Sequence, residues 1–95
     1  FAENKDKANR FAKLLSERGL GTKNLPDAID WHYAGIWNHI FGNYAEFSGK
    51  DLNEVLAKST EILQRAVAIP IMINMQDGQI SKIINAIKEI SAQIL

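Results

Sequence analysis

The chain has no cysteine, which excludes a disulfide framework and any thiolate metal site and suits a cytoplasmic location. It also lacks an excess of charge of either sign. Eleven basic and eleven acidic side chains give a formal net charge of zero, and no basic block interleaves with aromatics, so the electrostatic footprint of a nucleic-acid binder is missing. No apolar run approaches the roughly 18–20 residues that span a bilayer, and the first residues lack the basic-then-apolar order of a signal segment. Glycine-rich phosphate loops, serine or cysteine nucleophile signatures and paired carboxylates are absent as well, so nothing in the chain makes a catalytic machine by itself. The sequence opens on Phe1, not on methionine, and is expected to be processed or a piece of a longer polypeptide.

Ninety-five residues, 46% of them hydrophobic, suffice for one small domain over 1–95 that buries about 60–65% of its unfolded surface. The terminal helix is the plainest element. Ile80, Ile83, Ile84, Ile87, Ile90 and Ile94 recur in steps of three and four, with Ser81, Lys82, Asn85, Lys88, Glu89 and Gln93 facing away. Gln76 or Asp77 is placed to cap it, and the Asp77 charge suits the positive end of the helix dipole. At the other end, residues 2–18 read as an amphipathic helix with Ala8, Phe11, Ala12 and Leu15 on one face. Gly19 followed by Leu20 marks a left-handed cap with its hydrophobic contact. Residues 21–26 read as an extended or looped segment, because Pro26 pushes Leu25 out of the helical region. Residues 67–73 are β-branched-rich, without helical spacing and interrupted by Pro70, and read as a short buried or edge strand. Asp51 is a cap for a short helix with Leu52, Val55 and Leu56 inward, Ser59 begins another turn, and Glu61 and Arg65 form a favourable i,i+4 pair.

Residues 31–47 are the most unusual stretch. Trp31, His32, Tyr33, Trp37, His39, Phe41 and Tyr44 are followed closely by Phe47, and both histidines of the chain lie here. Two readings stay open: aromatics filling a small core with the histidines at its rim, or a binding surface whose aromatic faces and polar tips suit sugars or protein partners. A metal site is disfavoured, since His32 and His39 are two helical turns apart with no cysteine or paired carboxylate beside them.

The strand-turn-helix finish, with Leu63, Arg65, Val67, Ile69, Pro70 and Ile71 followed by Met75 and the isoleucine helix, resembles the C-terminal end of the DegT/DnrJ/EryC1/StrS aminotransferases. The order from Phe11 through Gly19 to Thr22 is similar to that family too. These are pyridoxal-phosphate enzymes that aminate keto-sugars. The resemblance covers 2–21 loosely and 63–90 well. It implies an α+β (α/β) fold, the small C-terminal domain of a fold-type I transferase with helices packed on a short antiparallel sheet. It further implies a larger preceding domain that holds the cofactor lysine, a homodimeric whole enzyme, an amino donor, and a nucleotide-linked or acidic keto-sugar substrate used for cell-surface polysaccharide. The Trp31-His32-Tyr33 and Trp37-Asn38-His39 stretches depart from the family's tyrosine-proline-histidine motif and look somewhat like the branch that aminates an eight-carbon keto-sugar acid of lipopolysaccharide. On this resemblance Asn24, Trp31, His32, Trp37 and His39 are the candidate substrate contacts. Catalytic, cofactor-binding and metal residues are expected outside the segment. If the chain is such a piece, part of its isoleucine and aromatic surface is expected to be exposed. The rival from another class is a free-standing helical interaction module that uses 31–47 as its partner surface.

Overall fold

The first helix begins where a side chain can satisfy its orphan amides. Asn4 is extended, at φ −151° and ψ 176°, and its Oδ1 accepts from the Lys7 N–H at 2.9 Å, so helix α1 runs Lys5–Glu17. Ala2, expected inside the helix, instead donates its N–H to the Arg65 carbonyl at 2.7 Å. The C-terminal end of α1 follows the sequence expectation. Gly19 sits at φ +73°, its N–H donates to the Ser16 carbonyl at 2.9 Å, and the Leu20 N–H donates to the Leu15 carbonyl at 3.0 Å, the two bonds of a Schellman cap. An added Cβ at Gly19 meets nothing within 4 Å, so Gly19→Ala carries only the left-handed backbone penalty, about 1 kcal/mol. A fall in the urea midpoint with unchanged slope checks this.

In a computed structural model, residues 1–26, 29 and 33–94 are described. The chain is small and mostly helical. After α1 come strand β1 (Lys23–Asn24), a 3-10 turn (Ala34–Ile36), and helices α2 (Asn38–Phe41), α3 (Leu52–Val55) and α4 (Ala57–Gln64). Strand β2 (Val67–Ala68) and helix α5 (Asp77–Ile94) complete it. Helix α5 starts at Gln76, whose carbonyl accepts from Gln79 and Ile80 at 2.9 and 3.1 Å. Gln79 Oε1 reaches back to the Gln76 N–H at 3.0 Å, one half of a capping box.

The core is a helix pair. Leu15 of α1 and Ala86, Ile90 and Ile94 of α5 are buried together, with Phe11, Leu14, Leu20 and Ile69 packed against them. Arg18 Nη1 donates to Glu89 Oε2 at 2.6 Å across the same pair. The strands pair antiparallel with Lys23 opposite Ala68 and Asn24 opposite Val67, and the Leu25 N–H prolongs the contact to the Ala66 carbonyl at 3.3 Å. Pairing therefore joins the two stretches expected to be extended, but with only two residues per strand. The helices pack mainly on each other rather than on a sheet, which corrects the expected arrangement. The 67–73 run is also corrected. Pro70 offers no N–H to a ladder, and beyond it Ile71, Met72 and Ile73 are 88%, 61% and 101% exposed.

Between the strands the chain makes a separate group, in which α3 contacts the 3-10 turn and α4. Asp51 caps α3 as expected, its Oδ1 accepting from the Asn53 N–H at 2.9 Å, and Leu52 is buried. Val55, expected inward, is exposed, and helix α4 starts at Ala57, ahead of the expected Ser59. The Glu61–Arg65 pair gives way to another contact: Arg65 Nη1 turns to the Ala2 carbonyl at 3.4 Å, next to the Ala2 amide bond. The molecule is flat and long, 52 × 30 × 16 Å, with a radius of gyration of 16.8 Å where a compact chain of this length has about 12 Å. No helix among the described residues is long and apolar enough to cross a membrane.

Candidate functional site

The aromatic stretch is held by one buried residue. Tyr33 is 5% exposed; its hydroxyl donates to the Leu56 carbonyl at 3.0 Å and bonds the Thr60 hydroxyl, while its ring lies across Gly35. That anchors the 3-10 turn to α3 and α4. Beyond the anchor the aromatics turn outward. The Trp37 ring stacks on Phe41 with centroids 6.4 Å apart and 12° between planes, and Phe41 meets Phe47 edge-on at 5.0 Å. Ile36, Trp37, Ile40 and Tyr44 are all exposed. Of the two readings left open for this stretch, core filling holds among the described residues for Tyr33, while Phe41 and Phe47 are half-buried and Trp37, His39 and Tyr44 are exposed.

The sequence-derived candidates are thereby separated. Trp37 is the residue before α2 and His39 lies exposed within it, its carbonyl accepting from Asn43 Nδ2 at 3.2 Å. They adjoin along the chain, Trp37 as the residue that precedes the helix and His39 within it, and residues two apart do not share a helix face. Asn24 belongs to the β1–β2 ladder, outside that group. Trp31 and His32 lie outside the described residues. Among the described residues no cluster of three metal-ligating side chains occurs, and none of the charged side chains is buried.

A second surface was less legible. Between the exposed 69–75 segment and the first half of α5 runs a groove of about 450 Å³ lined only by isoleucine, methionine and proline, among them Ile71, Met75, Ile80 and Ile84. Smaller concavities of about 250 and 230 Å³ adjoin it at Ile69. The isoleucine stripe announced an apolar face. Its excess over what α1 covers is the signal that locates the groove: of the six isoleucines only Ile90 and Ile94 are fully buried.

Among the described residues one acid, Glu3, is perturbed. The Lys7 ammonium donates to the exposed Glu3 carboxylate and attracts its charge, holding that carboxyl below its ordinary value of 4.5. With the folded value below the unfolded one, the pair's contribution is present above the unfolded pKa and is lost as pH falls through the folded one. An NMR titration of the Glu3 carboxyl is expected to show a midpoint below 4.5 that rises with added salt and in Lys7→Gln.

No protein-family model, curated protein or solved structure matches the chain.

Proposed function

We propose that the chain is the C-terminal small domain of a pyridoxal-phosphate aminotransferase of the DegT/DnrJ/EryC1/StrS type, cytoplasmic, aminating a nucleotide-linked or acidic keto-sugar destined for cell-surface polysaccharide. The observation that carries this is the open apolar groove, because it falls within the residues on which the resemblance rests, 63–90, and a segment evolved to lie against a larger body leaves such a face when that body is absent. Antiparallel pairing of the segment after Gly21 with the one before Pro70 supports it as well.

The segment's share is to cover the site and present aromatic and polar groups to the sugar. Trp37 and His39 stand on an exposed helix and suit a sugar face and a hydroxyl; Asn24, Trp31 and His32 complete the proposed contacts. The donor set does not fit the cofactor. The described lysines are exposed, apart from a partly buried Lys7 that pairs with Glu3, and none stands in an enclosed pocket where a Schiff base is made. The cofactor therefore belongs to the preceding large domain, and no chemical step is assigned to this segment.

Two measurements test the reading. The natural polypeptide should be several times heavier than 10.6 kDa, and the whole protein should carry bound pyridoxal phosphate. A natural species near 10.6 kDa overturns it. In the whole enzyme, His39→Ala should raise KM for the keto-sugar and leave the amino-donor half-reaction unchanged.

A second reading is favoured by the Trp37–Phe41–Phe47 cluster, with Trp37 exposed and the two phenylalanines half-buried beside it, which suits a free-standing interaction module anchored by aromatics. A natural 10.6 kDa species that captures a protein partner through Trp37 selects it.

A further inference from the structure

The total accessible surface is 6778 Å², whereas a folded monomer of 10.6 kDa exposes about 5,500 Å². The surplus exceeds the roughly 800 Å² that each partner contributes to a standard stable interface. One part of the exposed apolar surface runs along the first half of α5 and the adjoining segment, where Ile71, Ile73, Ile80 and Ile84 are 88%, 101%, 40% and 44% exposed. We propose that this face is the interface between two copies of the chain, packed α5 against α5 in antiparallel sense across a two-fold axis near Ile83 and Ile84.

Three features of the face commit it to a second copy. First, the seam is self-complementary. Ile80, Ile83, Ile87, Ile90 and Ile94 follow steps of three, four, three and four, the spacing that lets one helix seat its knobs between those of another. The last two are already seated on α1, which leaves Ile80, Ile83 and Ile87, flanked by Ile84, for a partner. An antiparallel axis between residues 83 and 84 sets Ile80 of one copy beside Ile87 of the other.

Second, the charges match. At about 100° per residue, Asp77 and Lys88 project on the same flank of the open stripe, beyond Ile84, one at each end of it. A two-fold axis perpendicular to antiparallel helices keeps like flanks together. Lys88 of each copy is thereby brought within side-chain reach of the other copy's Asp77, twice by symmetry. Parallel pairing would put these flanks on opposite sides. Lys82 and Glu89 point away from the seam. Third, the formal net charge is zero, so no long-range repulsion opposes association of like copies.

This inference does not rest on the enzyme reading and gives the same groove a different occupant, since one face cannot seat both a large domain and a second copy. The mass of the natural polypeptide decides that reading, and the association state of the 95-residue chain decides this one.

The test is sedimentation equilibrium of the 95-residue chain at micromolar concentrations, with circular dichroism to confirm helix content. A discrete species of twice 10.6 kDa is expected, reduced to monomer by Ile84→Asp, a change at an exposed position that leaves the α1–α5 core in place. Ile62→Asp, at an exposed position on α4, should leave the dimer unchanged. Lys88→Glu should weaken association at least tenfold, and Asp77→Lys combined with Lys88→Glu should restore it. Because the chain has no cysteine of its own, Ile84→Cys should oxidise to a single linked dimer. A helical monomer at all concentrations overturns the proposal, including one that binds apolar dyes and so keeps the groove for another kind of partner. Open-ended aggregation without a dimer also overturns it, as does failure of the charge swap to restore what Lys88→Glu removes.

Discussion

Ile90→Ala is expected to remove half or more of the folding free energy. Ile90 is fully buried in the centre of the cluster formed with Leu15, Ala86 and Ile94, and truncating a buried isoleucine to alanine costs about 2–5 kcal/mol, a transfer contribution plus that of the cavity left behind. A domain of this size has a total stability at the low end of about 5–15 kcal/mol, and its buried side chains are few. Neighbours cannot collapse into the gap easily: Leu15 is itself 1% exposed and fixed in α1, while Ala86 is too small to reach. Urea unfolding followed by circular dichroism should show the midpoint falling by half or more. Ile84→Ala, one of the same row of isoleucines but 44% exposed, should cost within about 0.5 kcal/mol when measured on the monomer. Equal effects of the two changes would show that the helix pair is not the core.

Gly35→Ala is the second large effect. A Cβ at residue 35 would stand 2.1 Å from Cε1 of the Tyr33 ring and 2.8 Å from two further ring atoms. The ring fills a buried space, so it must be displaced, and its hydroxyl then loses the Leu56 carbonyl and the Thr60 hydroxyl. Overpacking costs about 1–3 kcal/mol, and a lost hydrogen bond adds about 1 kcal/mol. Tyr33→Phe separates the two, because it keeps the ring and removes only the hydroxyl; it should cost about 1 kcal/mol, clearly less than Gly35→Ala. If Gly35→Ala proves the milder change, the ring is not packed across the glycine.

These cases show what a one-dimensional reading reaches. Helix α1, its glycine cap and helix α5 were legible because their signals are local: a repeat of three and four, a left-handed glycine, an acid in a first turn. Capping by Asn4 went unread because the reading started the helix at Ala2, and Asn4 competes for that end with a hydrogen bond made inside four residues. Strand length was not legible, since β propensity in 67–73 reports side-chain shape and not whether a partner strand exists to pair with. The same holds for Arg65, whose guanidinium meets the Ala2 carbonyl, a contact far apart in sequence, rather than Glu61. The density of aromatics singled out residues 31–47 but not which of them are buried. Periodicity could not tell Tyr33, which finds hydrogen-bond partners in Leu56 at the α3–α4 junction and Thr60 of α4, from Trp37, which is exposed.

The grouping of contacts has one more consequence. Helices α1 and α5 and the two strands touch one another, while the 3-10 turn, α3 and α4 form their own set, and the ladder at residues 24 and 67 zips the base of the excursion between them. Closing a loop costs little more when it is lengthened, about 0.6 kcal/mol per doubling. With few contacts joining it to the frame, the aromatic lobe is expected to exchange its amide hydrogens ahead of the helix pair, which native-state hydrogen exchange checks. The lobe can also gain or lose residues over generations without disturbing the frame, so that the surface the lobe presents and what holds the chain together are free to change at different rates.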